Sequence, residues 1–103
     1  MKVVVLHEVW PELLAAAEWY ELEQVGLAAQ FLEEVDEVLA EIQEFPERFS
    51  MVAKDARRAR CKRFPFGVFY VIRSECVYIF AIAHLNRSPR RWAKRIPKQR
   101  KSK

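Results

Sequence analysis

The spacing of apolar positions divides the chain into two helices followed by strands. Lys2 to Leu6 contains three consecutive valines, β-branched residues that pack well on a pleated surface, and predicts a short strand. Pro11 suits a first helical position and Glu12 complements the positive end of a helix. Trp10, Leu13, Ala17 and Tyr20, spaced 3, 4 and 3 apart, make one apolar stripe of a helix running to about Gln24. Gly26 follows as its left-handed stop. From Leu27 to Phe45, the residues Phe31, Val35, Val38, Leu39, Ile42 and Phe45 fall within an arc of about 120° when advanced about 100° per residue, and Pro46 ends the run. Two helices joined by so short a loop should lie antiparallel as a hairpin.

Past a loop from Glu47 to Ala56 the period changes. Arg57 to Phe64 sets Arg58, Arg60 and Lys62 on one face and Ala59 and Cys61 on the other, as a strand with one wet, basic side would. Pro65 punctuates. Phe66–Ile72 and Cys76–Ala83 are rich in Val, Ile, Phe and Tyr and read as a β-hairpin around Arg73, Ser74 and Glu75. Both strands are apolar on both faces. One face must cover the helices; the other is either buried by the tail and the connections of the N-terminal strand or offered to a partner. Beyond Arg87, Pro89, Trp92 and Ile96 predict a short helical turn that pins the indole against the domain. The order is β-α-α-β-β-β, an α+β chain forming a single domain over residues 1–96, with a basic tail over 97–103 expected to be disordered.

Composition narrows the class. With 103 residues, 51% of them hydrophobic and 31% charged, the chain suits one folded domain with its own core and excludes a low-complexity or collagenous protein. Its longest apolar stretches are far below the roughly 20 residues that span a bilayer, and the N-terminus meets His7 and Glu8 without a small-residue cleavage site, so a cytoplasmic location without membrane contact is expected. Cys61 and Cys76 lack CxxC spacing and read as reduced, buried hydrophobes; no metal or cofactor is indicated.

The net charge of +4 conceals a bipolar chain: residues 1–50 carry twelve acidic side chains against two basic ones, and residues 51–103 carry sixteen basic against two acidic. No acidic residue follows Glu75, so the basic segment seeks either the acidic half of its own chain or an anionic partner, a nucleic acid or an acidic protein surface. Glu34, Glu37, Glu41 and Glu44 share one flank of the second helix, where like charges three and four apart repel unless a basic neighbour relieves them.

Four segments together resemble the RelE/ParE superfamily of bacterial type II toxin–antitoxin toxins: AAAEWYE at Ala15–Glu21 with Gly26, FLEEVDEVLAEIQEFPERF at Phe31–Phe49, RRARCKRFPFGVFYVI at Arg57–Ile72, and AIAHLNRSPRRWAKR at Ala81–Arg95. The resemblance is closer to the ParE-like branch. It implies an antiparallel sheet with a helical hairpin packed on one side, and a growth-inhibiting toxin silenced by a cognate antitoxin. Two activities live on that fold: ribosome-dependent cleavage of mRNA, and poisoning of DNA gyrase without cleavage chemistry. The target is therefore gyrase, or the ribosome with its mRNA, and a non-toxic nucleic-acid-binding relative is a third reading. No membrane or small-molecule ligand is expected.

Metal-independent RNA cleavage would need a base, an acid and cations for the phosphorane. His84 with Arg87 three residues on, and Arg63, are the catalytic candidates. Arg58, Arg60, Lys62, Arg90, Arg91, Trp92, Lys94 and Arg95 are the candidates for binding nucleic acid or a protein partner. One departure counts against the nuclease: where the ribosome-dependent branch commonly carries an arginine three residues before the strand tyrosine, Gly67 stands before Tyr70. Tyr70 and Tyr78 read as core aromatics, and His7 as surface packing at the start of the first helix.

Overall fold

The valines of β1 (Lys2–Val5) lead through Leu6, whose N–H donates to the Ile79 carbonyl at 3.0 Å, into α1 (Val9–Glu23). The computed structural model describes residues 1–98, and in it Gly26 has φ +90°, with nothing within 4 Å of where a Cβ would stand. The glycine is therefore required by backbone conformation and not by space. It leads directly into α2 (Leu27–Glu44), whose opening is capped by the preceding helix. Both carboxylate oxygens of Glu21 accept from the N–H of Gly26, at 3.1 and 3.0 Å, and Oε1 also accepts from Ala28 at 3.1 Å. This satisfies orphan donors and places negative charge at the positive helix end.

Strands β2 (Met51–Ala53), β3 (Ala56–Arg60), β4 (Phe66–Arg73) and β5 (Cys76–His84) complete a sheet in the order β1-β5-β4-β3-β2. β2 to β5 pair antiparallel, but β1 lies parallel to β5, Val3 opposite Val77 and Val5 opposite Ile79. The sheet is thus mixed, where an antiparallel one was expected. β2 is an added strand, three residues inside the expected loop.

Two boundaries also move. β3 stops at Arg60 instead of reaching Phe64, because Cys61 N–H closes onto Phe66 O at 2.9 Å and Phe66 N–H onto Phe64 O at 2.8 Å, folding Cys61–Pro65 toward α2. β4 runs on to Arg73, so the hairpin turn is only Ser74–Glu75, both at positive φ (49° and 64°) as a tight two-residue hairpin requires. Between Phe69 and Tyr70 the register with β5 shifts, and the bulge sets Phe80 and Ala81 on one face.

Two apolar clusters sandwich the sheet. On the helix side Val9, Leu13, Ala17, Phe31, Val35, Val38 and Ile42 pack on Val68, Tyr70, Val77, Ile79 and Ile82. On the far side Phe69, Val71, Phe80 and Ala81 are covered by Trp92, from a 3-10 segment at Pro89–Arg95. The apolar hairpin is therefore sealed on both faces by its own chain. Ser88 caps that segment, its Oγ accepting from Arg90 N–H at 3.3 Å. The tail expected to be disordered falls mainly on residues 99–103, outside the described residues; Pro97, at its start, accepts from Arg73 Nε at 2.9 Å.

Candidate functional site

The far face is basic because of strand alternation. Arg58 and Arg60 point there from β3, opposite Phe69 and Gly67 of β4, and the 3-10 segment adds Arg90, Arg91 and Lys94. Gly67 has a steric reason to be glycine: a Cβ would stand 2.9 Å from Arg58 Cγ, 3.0 Å from its Cδ and 3.0 Å from Leu85 Cδ2. The stem of Arg58 lies over the position where the nuclease branch would place an arginine. Arg58, Arg60, Lys62, Arg87, Arg90, Arg91 and Lys94 make no ion pair among the described residues, so the acidic half of the chain leaves much of the basic half unneutralised.

Two members of the expected binding set are occupied internally. Trp92 is only 7% exposed, its ring 5.4 Å from that of Phe69, because it is the lid of the far cluster. Arg95 is clamped by Glu12 of α1, Nη1 to Oε1 and Nη2 to Oε2 both at 2.7 Å, and also donates to Phe80 O at 3.2 Å. That bidentate bond lowers the pKa of Glu12 despite its partial burial and raises that of Arg95. Both side chains tie the C-terminal segment to the domain.

The catalytic candidates do not assemble. Arg63 is turned toward α2, its N–H donating to Glu34 Oε1 at 2.8 Å, its Nε to Oε2 at 3.1 Å and its Nη1 to Gln30 Oε1 at 3.4 Å. His84 lies against Phe66, ring centroids 5.8 Å apart, and its Nδ1 accepts from Asn86 N–H at 3.1 Å. Arg87 is exposed and donates its N–H to His84 O at 3.0 Å; no side-chain bond links the three among the described residues. Tyr70 is buried, its hydroxyl donating to Pro46 O at 2.5 Å; burial, opposed by Arg57, pushes its pKa up to about 12. Burial, with the charge of Glu34, pushes the Cys61 thiol to about 12 as well, which keeps it unreactive.

Glu34 belongs to no catalytic pair either. Burial alone would raise its pKa; the Arg63 backbone N–H, then the Arg63 side chain, then the N–H groups of Phe64 and Lys62 overcome this and lower it. A residue that reads as one of four repelling glutamates is instead the anchor of the β3–β4 loop.

Large apolar side chains are exposed on α1. Its core face is Val9, Leu13 and Ala17, with Tyr20 packed against them; of the expected stripe only Trp10 turns outward, and Val9 takes its place. Outward stand Trp10 (49% exposed), Leu14 (59%), Leu22 (80%) and Val25 (88%), with Trp19 beside them. Next to this face a groove of about 220 Å³ opens between α1, α2 and the sheet, with Trp10, Leu14, Leu32 and Leu39 among its walls and Asp36 as its one charged residue. The solvent side of α1 carries Glu12, Glu18, Glu21 and Glu23 as well, so its exposed apolar side chains are interleaved with carboxylates. Phe45, assigned by periodicity to the core stripe of α2, is also half-exposed, with Arg48 stacked over its ring at 4.3 Å.

The chain is a small α+β domain: a helical hairpin on one face of a mixed sheet, large apolar side chains exposed on α1, and unpaired cations on the far face. The chain belongs to the ParE toxin family: the family described as "ParE toxin of type II toxin-antitoxin system, parDE" matches residues 4–89. A solved structure described as "Chromosomal ParDE TA system from P. aeruginosa" shares the fold, with a TM-score of 0.73 at 15% identity over 82% of this chain and 95% of that one. No curated protein sequence matches. The protein is a ParE-like toxin of a type II toxin–antitoxin system, and a cognate antitoxin is its partner. No helix among the described residues is long and apolar enough to cross a membrane.

Proposed function

We propose that this toxin acts in the cytoplasm by binding DNA gyrase, without cleavage chemistry of its own, and that its antitoxin silences it by laying an apolar helical or extended segment on the outer face of α1 and the adjoining groove. The observation that carries the first half is that Arg63 is taken up by Glu34 and Gln30 of α2, and that no side-chain hydrogen bond joins it to His84 or Arg87 among the described residues. General acid–base cleavage needs those functions within hydrogen-bond reach of one reacting phosphate. The exposed Trp10, Leu14 and Leu22 of α1, with Val25 in the turn after it, support the second half.

Induced without its antitoxin, the chain should arrest bacterial growth, leave cellular transcripts intact by primer extension, and inhibit supercoiling by purified gyrase. Codon-phased mRNA cuts would overturn the gyrase reading in favour of RNA cleavage, for which the unpaired Arg58, Arg60 and Arg87 are the available cations. The variant His84→Ala should remain fully toxic. Normal growth at confirmed soluble expression would remove both activities.

A further inference from the structure

A second depression lies on the far side of the sheet, away from α1. It is a cleft of about 780 Å³ between the β2–β3 turn and the 3-10 segment. Its apolar lining is aliphatic, with Val52 and Ala56 from the sheet and Ala93 and Ile96 from the segment, and no aromatic ring borders it. Four cations line it, Lys54, Arg73, Arg90 and Lys98, against one carboxylate, Asp55. That carboxylate is already engaged: Asp55 Oδ2 accepts from Arg73 Nη1 at 2.7 Å. Arg73 also donates from Nη1 to Ile72 O and from Nε to Pro97 O, which fixes its guanidinium and leaves Nη2 without an acceptor among the described residues. Lys54, Arg90 and Lys98 have no ion-pair partner among them. One wall is β2, an edge strand, so one side of its backbone has no strand partner.

We propose that this cleft receives an extended acidic segment of the antitoxin that carries aliphatic side chains, as a contact separate from the α1 face; the assignment rests on the antitoxin partnership and extends it. Excess positive charge on the rim selects carboxylates, the aliphatic floor takes the alternate side chains, and the open edge of β2 offers main-chain hydrogen bonds. A nucleic acid would leave the aliphatic floor unused and would find no ring on which to stack a base. A second copy of this chain is unsuited, because most of its acidic residues lie in α1 and α2 and none follows Glu75.

The test is fluorescence anisotropy of the purified full chain with a labelled decapeptide of alternating glutamate and valine. Saturable binding is expected, weakened about tenfold or more by Lys54→Glu with Arg90→Glu, exposed rim residues whose exchange leaves the melting temperature unchanged. A decaglutamate of equal length should bind less tightly, since it has nothing for the floor. No saturable binding, indifference to the charge reversals, or equal affinity for decaglutamate would each overturn the proposal. So would displacement of the peptide by a single-stranded oligonucleotide whose own tighter binding the same substitutions abolish. Rescue of growth by the whole antitoxin reports on the partnership independently: peptide failure with intact rescue removes the cleft alone.

Discussion

Replacing Trp92 with alanine separates a structural indole from one that waits for a partner. The side chain is 7% exposed and covers Phe69, Val71, Phe80 and Ala81, with a ring–ring distance of 5.4 Å to Phe69. Removing a buried tryptophan costs about 3–5 kcal/mol, and the lower figure fits here because a terminal segment can settle into part of the space. At about 4 °C per kcal/mol for a domain of this size, the melting temperature should fall by roughly 12 °C or more. The loss should come with increased binding of an apolar dye, as the far cluster is uncovered. Thermal unfolding followed by circular dichroism measures it. A variant that melts with the wild type yet loses toxicity or antitoxin binding would refute the reasoning and return Trp92 to the partner surface.

Glu34→Gln should destabilise the protein by about 1–3 kcal/mol at neutral pH, since a buried charged acceptor of the Arg63 backbone and side-chain donors becomes a neutral one. Because the folded carboxyl is held below its ordinary 4.5, its stabilisation is complete above that value and fades as pH falls through the folded value; the gap between wild type and variant, read by denaturant unfolding, should narrow at acid pH. A gap that widens on acidification would contradict this. Tyr70→Phe removes the bond to Pro46 O that ties the end of α2 to the sheet, and should cost about 1–2 kcal/mol while leaving the toxicity of the folded protein intact. Lost toxicity at unchanged stability would make Tyr70 a functional group.

How much of this was legible in the sequence varied with the kind of signal. Gly26 and the α2 stripe are local, one backbone conformation and one strong periodicity; Gly26 stands as read, and so does the stripe up to Ile42, its last member Phe45 being half-exposed. Strand β2 was not legible, because Met51–Ala53 is three residues long and its turn uses Lys54 at φ 44° where glycine or asparagine is the usual mark. In α1, periodicity locates a core face only when the other face is polar. Here large apolar residues stand among the glutamates of the outer face too, and Ala17 beside Leu13 lies in the core while Trp10 turns outward.

The charge pattern erred in the opposite way for single residues. Glu34 belongs to an acidic flank by spacing, yet the loop after β3 folds over it and uses it as an acceptor, a long-range event invisible to i, i+3 and i, i+4 arithmetic. Arg95 and Trp92 lie in a basic, exposed-looking segment and are claimed by Glu12 and Phe69, more than eighty and more than twenty residues earlier in the chain. Most of the basic set, Arg58, Arg60, Lys62, Arg90, Arg91 and Lys94, makes no ion pair among the described residues, a choice between internal and external partners that the bipolar sequence left open.

The account turns on the outer face of α1, and growth rescue tests it most directly. The double variant Leu14→Asp with Leu22→Asp alters two exposed positions and should fold and arrest growth as the parent does. Co-expressed with the antitoxin, the parent should grow and the variant should not, because two carboxylates would have to be desolvated on an apolar contact. Equal rescue of both would contradict the claim that this helix is where the partner binds.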